Sequence, residues 1–136
     1  MNVSLKYLGE NQFKAYTTKT NYLLDINKIT PIEYFATSTI ACTGIDLVIL
    51  AEENGYSISD YEVSAQTIRS ISTPMKFESF HITYIVNANF DKYEAKKFIL
   101  ASLSKYSTTI NSIRKTVVIQ YSIVLNGIKI LNKQFI

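Results

Sequence analysis

The stretch TPIEYFATSTIACTGIDLVILAEENG, Thr30 to Gly55, decides how the rest of the chain must be arranged. Thr30, Pro31, Ile32 and Glu33 have the T-x-x-E form of a capping box, with proline at the first helical position, where its missing N–H costs nothing. No breaker follows until Asn54 and Gly55, a pair suited to a C-terminal stop. The spacing therefore predicts a helix of about 24 residues, roughly 36 Å long at 1.5 Å per residue. In its middle Ile45, Leu47, Val48, Ile49 and Leu50 point in nearly every direction around the axis, and Ile40 and Ala41 continue the apolar surface. A helix that is apolar all round must be enclosed on all sides. A chain of 136 residues has limited material for that, so pairing with a second copy is expected.

From Tyr34 to Ala51 the only charge is Asp46, which raises the question of a membrane span. Thr37, Ser38, Thr39 and Thr43 crowd the first half, Asp46 has no partner within the run, and the flanking sequence alternates like soluble strands. No membrane partner is expected.

Working outward, Val3 to Tyr7, Phe13 to Thr17 and Asn21 to Ile26 read as three short strands of an antiparallel meander, the first two joined by a turn at Gly9, Glu10 and Asn11. Beyond the helix, Tyr61 to Ile71 and Phe77 to Val86 read as long strands around Ser72, Thr73 and Pro74. Phe80, Ile82, Tyr84 and Val86 share one face of the second, and Ser79, His81 and Thr83 share the other. Lys92 to Tyr106 switches to helical period, with Ala95, Phe98, Ile99, Ser102, Leu103 and Tyr106 on one stripe. Val117, Ile119, Tyr121, Ile123 and Leu125 return to alternation, and Asn126 and Gly127 turn the chain into a last strand. The order of strands, helix, strands, helix, strands predicts an α+β fold with a largely antiparallel sheet, as a single domain over residues 1–136.

Composition narrows the function classes. Hydrophobic residues at 47% and charged residues at 18% describe a packed globule rather than a disordered chain. The net charge of +3 is scattered from Lys6 to Lys133, with adjacent pairs only at Lys96 and Lys97 and at Arg114 and Lys115; neither a nucleic-acid stripe nor a polybasic membrane cluster is present. One cysteine excludes an internal disulfide, and MNVSLKYLGE lacks the sections of a signal peptide, so a cytoplasmic location is expected. One His and one Cys do not by themselves build a zinc site, and no cofactor is expected.

Cys42 is the residue that could carry chemistry, because a thiolate attacks peroxides, disulfides and electrophilic carbon. The competing reading is that of a small core hydrophobe. Its neighbours one turn away are Ser38, Thr39, Ile45 and Asp46; the hydroxyls could hydrogen-bond a thiolate, whereas Asp46 would oppose one. Cys42 lies about three turns inside its own helix, too deep to feel that helix's N-terminus. Activation is therefore expected to need a cation, with Arg69 and Arg114, the latter next to Lys115, as candidates. Glu33, at about 100° per residue, lies on the opposite side of the helix from Cys42 and is explained by its cap unless a second subunit brings it near. His81 lies on the polar face of its strand, outside any recognisable Ser, His and Asp order, and Gly9, Gly44, Gly55 and Gly127 are too isolated to cradle a phosphate.

The segment TPIEYFATSTIACTGIDLVI resembles the helix of the OsmC/Ohr family: a Pro, an acidic residue soon after it, then a small residue, Cys and Thr, here Pro31, Glu33, Ala41, Cys42 and Thr43. PMKFESFHITYIV resembles that family's second long strand, and KYSTTINSIRKTVVIQYSI the end of its second helix and the strand after it. The resemblance covers roughly Ile29 to Leu125. It implies an intertwined homodimer with antiparallel sheets wrapped around long central helices and sites at the interface. It also implies peroxide reduction by a cysteine pair, in which Cys42 matches the attacking thiol and Glu33 the acidic partner. The resolving cysteine's place after a Tyr is here Ser107, after Tyr106, and Ser107 cannot form a disulfide. Ile32, not Glu, follows Pro31, and no Arg precedes Arg69, so the charge pair of the hydroperoxide resistance branch is missing and the OsmC-like branch fits better.

Two functions are consistent with these residues. One is a stress-response thiol peroxidase acting on small hydroperoxides through Cys42, with an external thiol as resolving partner. The alternative is a catalytically degenerate dimer that binds a small apolar molecule or serves a structural role, with Cys42 as filler.

Overall fold

In the computed structural model, which describes residues 1–136, the capping box closes as its sequence requires. The Glu33 N–H donates to Thr30 Oγ1 at 3.1 Å, and the Thr30 N–H donates to Glu33 Oε1 at 3.4 Å. Helix α1 runs Pro31–Glu53. It stops where Gly55 takes a φ of +77°, a conformation that costs glycine little, and the Tyr56 N–H reaches back to the Ala51 carbonyl at 2.9 Å.

The chain forms two compact units, Met1–Thr37 and Ser38–Ile136, with the division inside α1. In the first, β1 (Ser4–Gly9), β2 (Gln12–Tyr16) and β3 (Asn21–Asp25) make the predicted antiparallel meander in the order β1-β2-β3. The register pairs Leu5 and Tyr22 with Ala15, and Tyr7 and Leu24 with Phe13, so these six side chains share one face of the sheet. Of them only Ala15 is buried, and Leu5 and Tyr7 are more than half exposed. Within this unit the apolar face that alternation predicts is largely uncovered.

The second unit is a four-stranded sheet of β4 (Ile58–Arg69), β5 (Phe77–Ala88), β6 (Val118–Leu125) and β7 (Ile128–Phe135), in that order. β4–β5 and β6–β7 are antiparallel, as expected, but β5 and β6 are parallel. The reason is the connection: parallel neighbours need a long crossover, and the residues between β5 and β6 supply a helical one. Phe80, Ile82, Tyr84 and Val86 of β5 lie beside Ile119, Tyr121, Ile123 and Leu125 of β6, and all eight are buried. The Asn126 and Gly127 hairpin has positive φ at both residues, 50° and 82°, as a two-residue turn of matching twist requires.

The crossover also corrects the expectation of one helix from Lys92 to Tyr106. Helix α2 (Lys92–Ala101) gives way to a single π-turn (Ser102–Tyr106), and a short helix α3 (Thr108–Ile113) follows. The Asp91 side chain caps α2 by accepting from the Glu94 N–H at 2.9 Å, and Phe98 buries against Tyr56 and Phe90 with ring centroids 6.1 and 5.8 Å apart.

In this unit α1 buries the stripe Thr39, Thr43, Leu47 and Ala51, spaced four residues apart, together with Gly44. A Cβ on Gly44 would meet Val63 Cγ1 of β4 at 3.0 Å, so glycine permits this close approach of helix to strand. On length and hydropathy α1 could cross a membrane, and in this unit only one stripe of it is buried. The single chain does not enclose α1 all round: Ile45 and Ile49 are 53% and 44% exposed.

Candidate functional site

Cys42 sits on α1 beside the buried stripe and is half-buried. Opposite it stands the junction between the π-turn and α3. Ser107 is fully buried and is the N-cap of α3, its Oγ accepting from the Ile110 N–H at 3.4 Å. Thr109, next in the first turn, has its Oγ1 3.4 Å from the Thr39 carbonyl, one turn before Cys42 on α1, and its one proton serves either that carbonyl or the thiol.

Burial alone would raise the Cys42 thiol. Hydrogen bonds from the Ser107 hydroxyl, the Thr109 N–H and hydroxyl and the Thr108 N–H outweigh that effect and hold the thiol below its ordinary value. The donors are N–H groups left free at a helix start, together with hydroxyls beside them, an arrangement that favours negative charge. The site therefore favours the thiolate, which is the nucleophilic form, more than burial alone would allow.

The π-turn is fastened to α1 by a buried polar chain. Ser102 Oγ donates to Asp46 Oδ2 at 2.7 Å and lies 2.7 Å from Thr43 Oγ1, which lies 2.6 Å from the Tyr84 hydroxyl. Each hydroxyl has one proton. Because Ser102 spends its own on Asp46, Thr43 donates to Ser102 and Tyr84 donates to Thr43. Burial raises the Tyr84 phenol and keeps it protonated, as this direction needs. Tyr61, raised by burial and then by the charge of Asp46, donates to the Gly44 carbonyl at 3.1 Å. On the side of α1 that carries Cys42, at i+4, i+7 and i+11, Asp46, Ile49 and Glu53 line a cavity of about 310 Å³ with Leu50 and Tyr106.

Of the residues singled out from the sequence, the structure brings Cys42 and Ser107 together. The Ser107 hydroxyl lowers the thiol and caps α3, and so Ser107 has a part of its own in the place expected to be a gap. Arg114 is exposed at the C-cap of α3, the far end from the turn that meets Cys42, with its N–H spent on Ile110. Arg69 is exposed at the end of β4, opposite Phe77. Within the single chain neither is among the groups that shift the thiol, and the groups that lower it there are neutral donors. Glu33 belongs to the first unit, is exposed, and its Oε1 accepts from the Thr30 hydroxyl at 2.9 Å. Asp46 is not among the groups that shift the thiol, and its carboxylate accepts from Ser102. His81 is held by Ser122 at 2.8 Å on the face of β5 opposite Tyr84, and burial, then Lys133 and Lys129, lower it.

Sequence reasoning missed Ser102, Thr108 and Thr109. The N-terminus of α1 lies about three turns from Cys42, whereas groups at the start of a second helix, α3, lower the thiol. Ser107 followed by Thr108, Thr109 and Ile110 is itself an N-cap signature that could have revealed that start.

Comparison with known proteins adds the following. No curated protein matches the sequence. A hypothetical protein from Aquifex aeolicus VF5 superposes with a TM-score of 0.84 at 17% identity, over 92% of this chain and 95% of its own. An OsmC like protein from Mycoplasma pneumoniae superposes with a TM-score of 0.76 at 12% identity, over 91% and 95%. A Legionella pneumophila protein described as an organic hydroperoxide resistance protein OsmC and predicted redox protein gives 0.65 at 16% identity, over 91% and 97%. At these identities the likeness is one of fold. The family model for OsmC-like protein matches residues 25–122, most of the chain and all of the Cys42 and Ser107 site, and on that match the chain belongs to the OsmC-like family.

Proposed function

We propose that this protein reduces small organic hydroperoxides through Cys42, as a one-cysteine thiol peroxidase of the cytoplasm. The observation that carries the reading is the set of donors from Ser107, Thr108 and Thr109 on a half-buried thiol. The thiolate attacks the outer peroxide oxygen. The O–O bond breaks, an alcohol leaves with a proton from solvent, and Cys42 becomes a sulfenic acid. Ser107 has no thiol to resolve it. An external thiol therefore displaces water to form a mixed disulfide, and a second thiol releases Cys42 and leaves as the oxidised disulfide. The organic part of the peroxide would lie against Ile49, Leu50 and Tyr106 in the adjoining cavity. The Legionella relative's description as a hydroperoxide resistance protein supports the substrate class.

The working form in this proposal is a homodimer. The exposed Ile45 and Ile49 on α1 and the open apolar face of the first unit are surfaces that a second copy would cover. Any part for Glu33, Arg69 or Arg114 in the reaction would come across that interface.

The test is mass spectrometry of Cys42 after exposure to an organic hydroperoxide, with turnover measured against a dithiol reductant. Wild type should gain a trappable sulfenic acid and consume peroxide, and Cys42→Ser should do neither. A Cys42 that stays reduced in excess peroxide while a control thiol oxidises rejects the reading. The second reading, a non-catalytic dimer binding a small apolar molecule, is favoured by a cavity of about 420 Å³ in the first unit lined by Leu5, Tyr16, Leu24 and Tyr34. It predicts ligand binding that survives Cys42→Ser.

A further inference from the structure

We propose that Ser102 is a positioning residue for Cys42: its side chain ties the π-turn to Thr43 and Asp46, and its carbonyl holds the amide of Ser107, so that the Ser107 hydroxyl stays on the thiol. The inference rests on the reading of Cys42 as the reacting thiol and adds the device that sets its reactivity.

Three observations meet at this residue. Ser102 is fully buried and its hydroxyl is used on both sides, toward Thr43 Oγ1 at 2.7 Å and Asp46 Oδ2 at 2.7 Å. Its carbonyl accepts from the Ser107 N–H at 2.8 Å, the five-residue step that makes the π-turn. Ser107 in turn caps α3, and its hydroxyl lowers the Cys42 thiol. A π-turn replaces α-helix only where something offsets the poorer local geometry, and such turns gather at functional sites. Here the two hydrogen bonds to α1 supply the offset. An ordinary α-helical continuation would rotate every residue after Ser102 by part of a turn and carry Ser107 away from the thiol.

The chain of donation ends on Asp46, which stands one turn from Cys42 on the same side of α1. As a bare carboxylate there it would disfavour a thiolate. Occupied by Ser102 it instead anchors the turn that favours one. The other titratable groups around the site are Glu53 on α1, Lys105 and Tyr106, both exposed on the turn, and the phenols of Tyr61 and Tyr84. Tyr84 belongs to the same chain of hydrogen bonds at the end far from Ser107, which makes it an internal control.

The experiment is the rate of Cys42 alkylation by a neutral iodoacetamide as a function of pH, read on the full chain. Ser102→Ala should slow alkylation at neutral pH about three- to tenfold and move the profile to higher pH, whereas Tyr84→Phe should leave the profile in place. In a Ser107→Ala background the effect of Ser102→Ala should shrink to the part that passes through the N–H groups of Thr108 and Thr109. Should Ser102→Ala fail to fold by circular dichroism, Asp46→Ala decides. A role as bare charge makes alkylation faster, and a role through Ser102 makes it slower. An unmoved profile in Ser102→Ala, an equal shift with and without Ser107, or faster alkylation in Asp46→Ala would overturn the proposal. None of these readouts uses peroxide, so failure of peroxidase turnover leaves this test standing.

Discussion

The two sides of α1 behave as though they belonged to different helices. One side, Thr39, Thr43, Leu47 and Ala51, is wholly buried, and the Thr43 hydroxyl is spoken for. The other carries Cys42, Ile45, Asp46, Ile49 and Glu53, and its apolar members are about half exposed. Hydropathy does not distinguish them, since the inward side contains two threonines and the outward side two isoleucines. What distinguishes them is the partner available: a sheet within the chain for one side, and for the other a short polar turn and open space. The difference teaches that the inward side makes the fold and the outward side is where chemistry and assembly remain possible.

That contrast can be broken most severely on the inward side. Leu47→Ala leaves a cavity where no water or side chain can follow, and should cost about 2–5 kcal/mol in urea unfolding. Ile45→Asp, two residues away on the outward side, should leave the helical circular dichroism intact while shifting the mass in light scattering from twice 15.5 kDa to a single chain. Equal unfolding by both substitutions would erase the distinction. Thr43→Val keeps the shape of the inward side but leaves Tyr84 and Ser102 each short of a partner, and should cost about 1–3 kcal/mol. The smallest effect belongs to the helix start, where Thr30→Ala removes the cap and should cost about 1 kcal/mol with no change in Cys42 reactivity.

The inward side was largely legible in the sequence, and the outward side only in part. The capping box, the Asn54 and Gly55 stop, the alternation of β5 and β6 and the hairpin at Asn126 are local patterns, decided within a few residues by backbone chemistry. The choice of Cys42 was equally local. The π-turn, the parallel pairing of β5 with β6 and the donors on the thiol were not legible, because each depends on groups far apart in the chain. Ser102 meets Thr43 across 59 positions and Thr109 meets Thr39 across 70. Periodicity alone carries Lys92 to Tyr106 through as one helix, and nothing in that period records that Ser102 is drawn toward α1. The neutral donors escape a sequence for the same reason: charge is visible there, whereas N–H groups freed at a helix start become visible only once the helix boundary is known.

The most direct test of the account is the pH titration of the Cys42 thiol in wild type and in Ser107→Ala. With the donors of Ser107, Thr108 and Thr109 in place, the thiolate should form below the ordinary thiol value of about 8.5. Folding therefore favours the thiolate: that stabilisation is present above the unfolded value and is lost as pH falls through the folded one. Ser107→Ala should move the midpoint upward and slow alkylation at neutral pH. A wild-type midpoint at or above the ordinary value, or one that Ser107→Ala leaves unchanged, would contradict the claim that this turn makes Cys42 reactive.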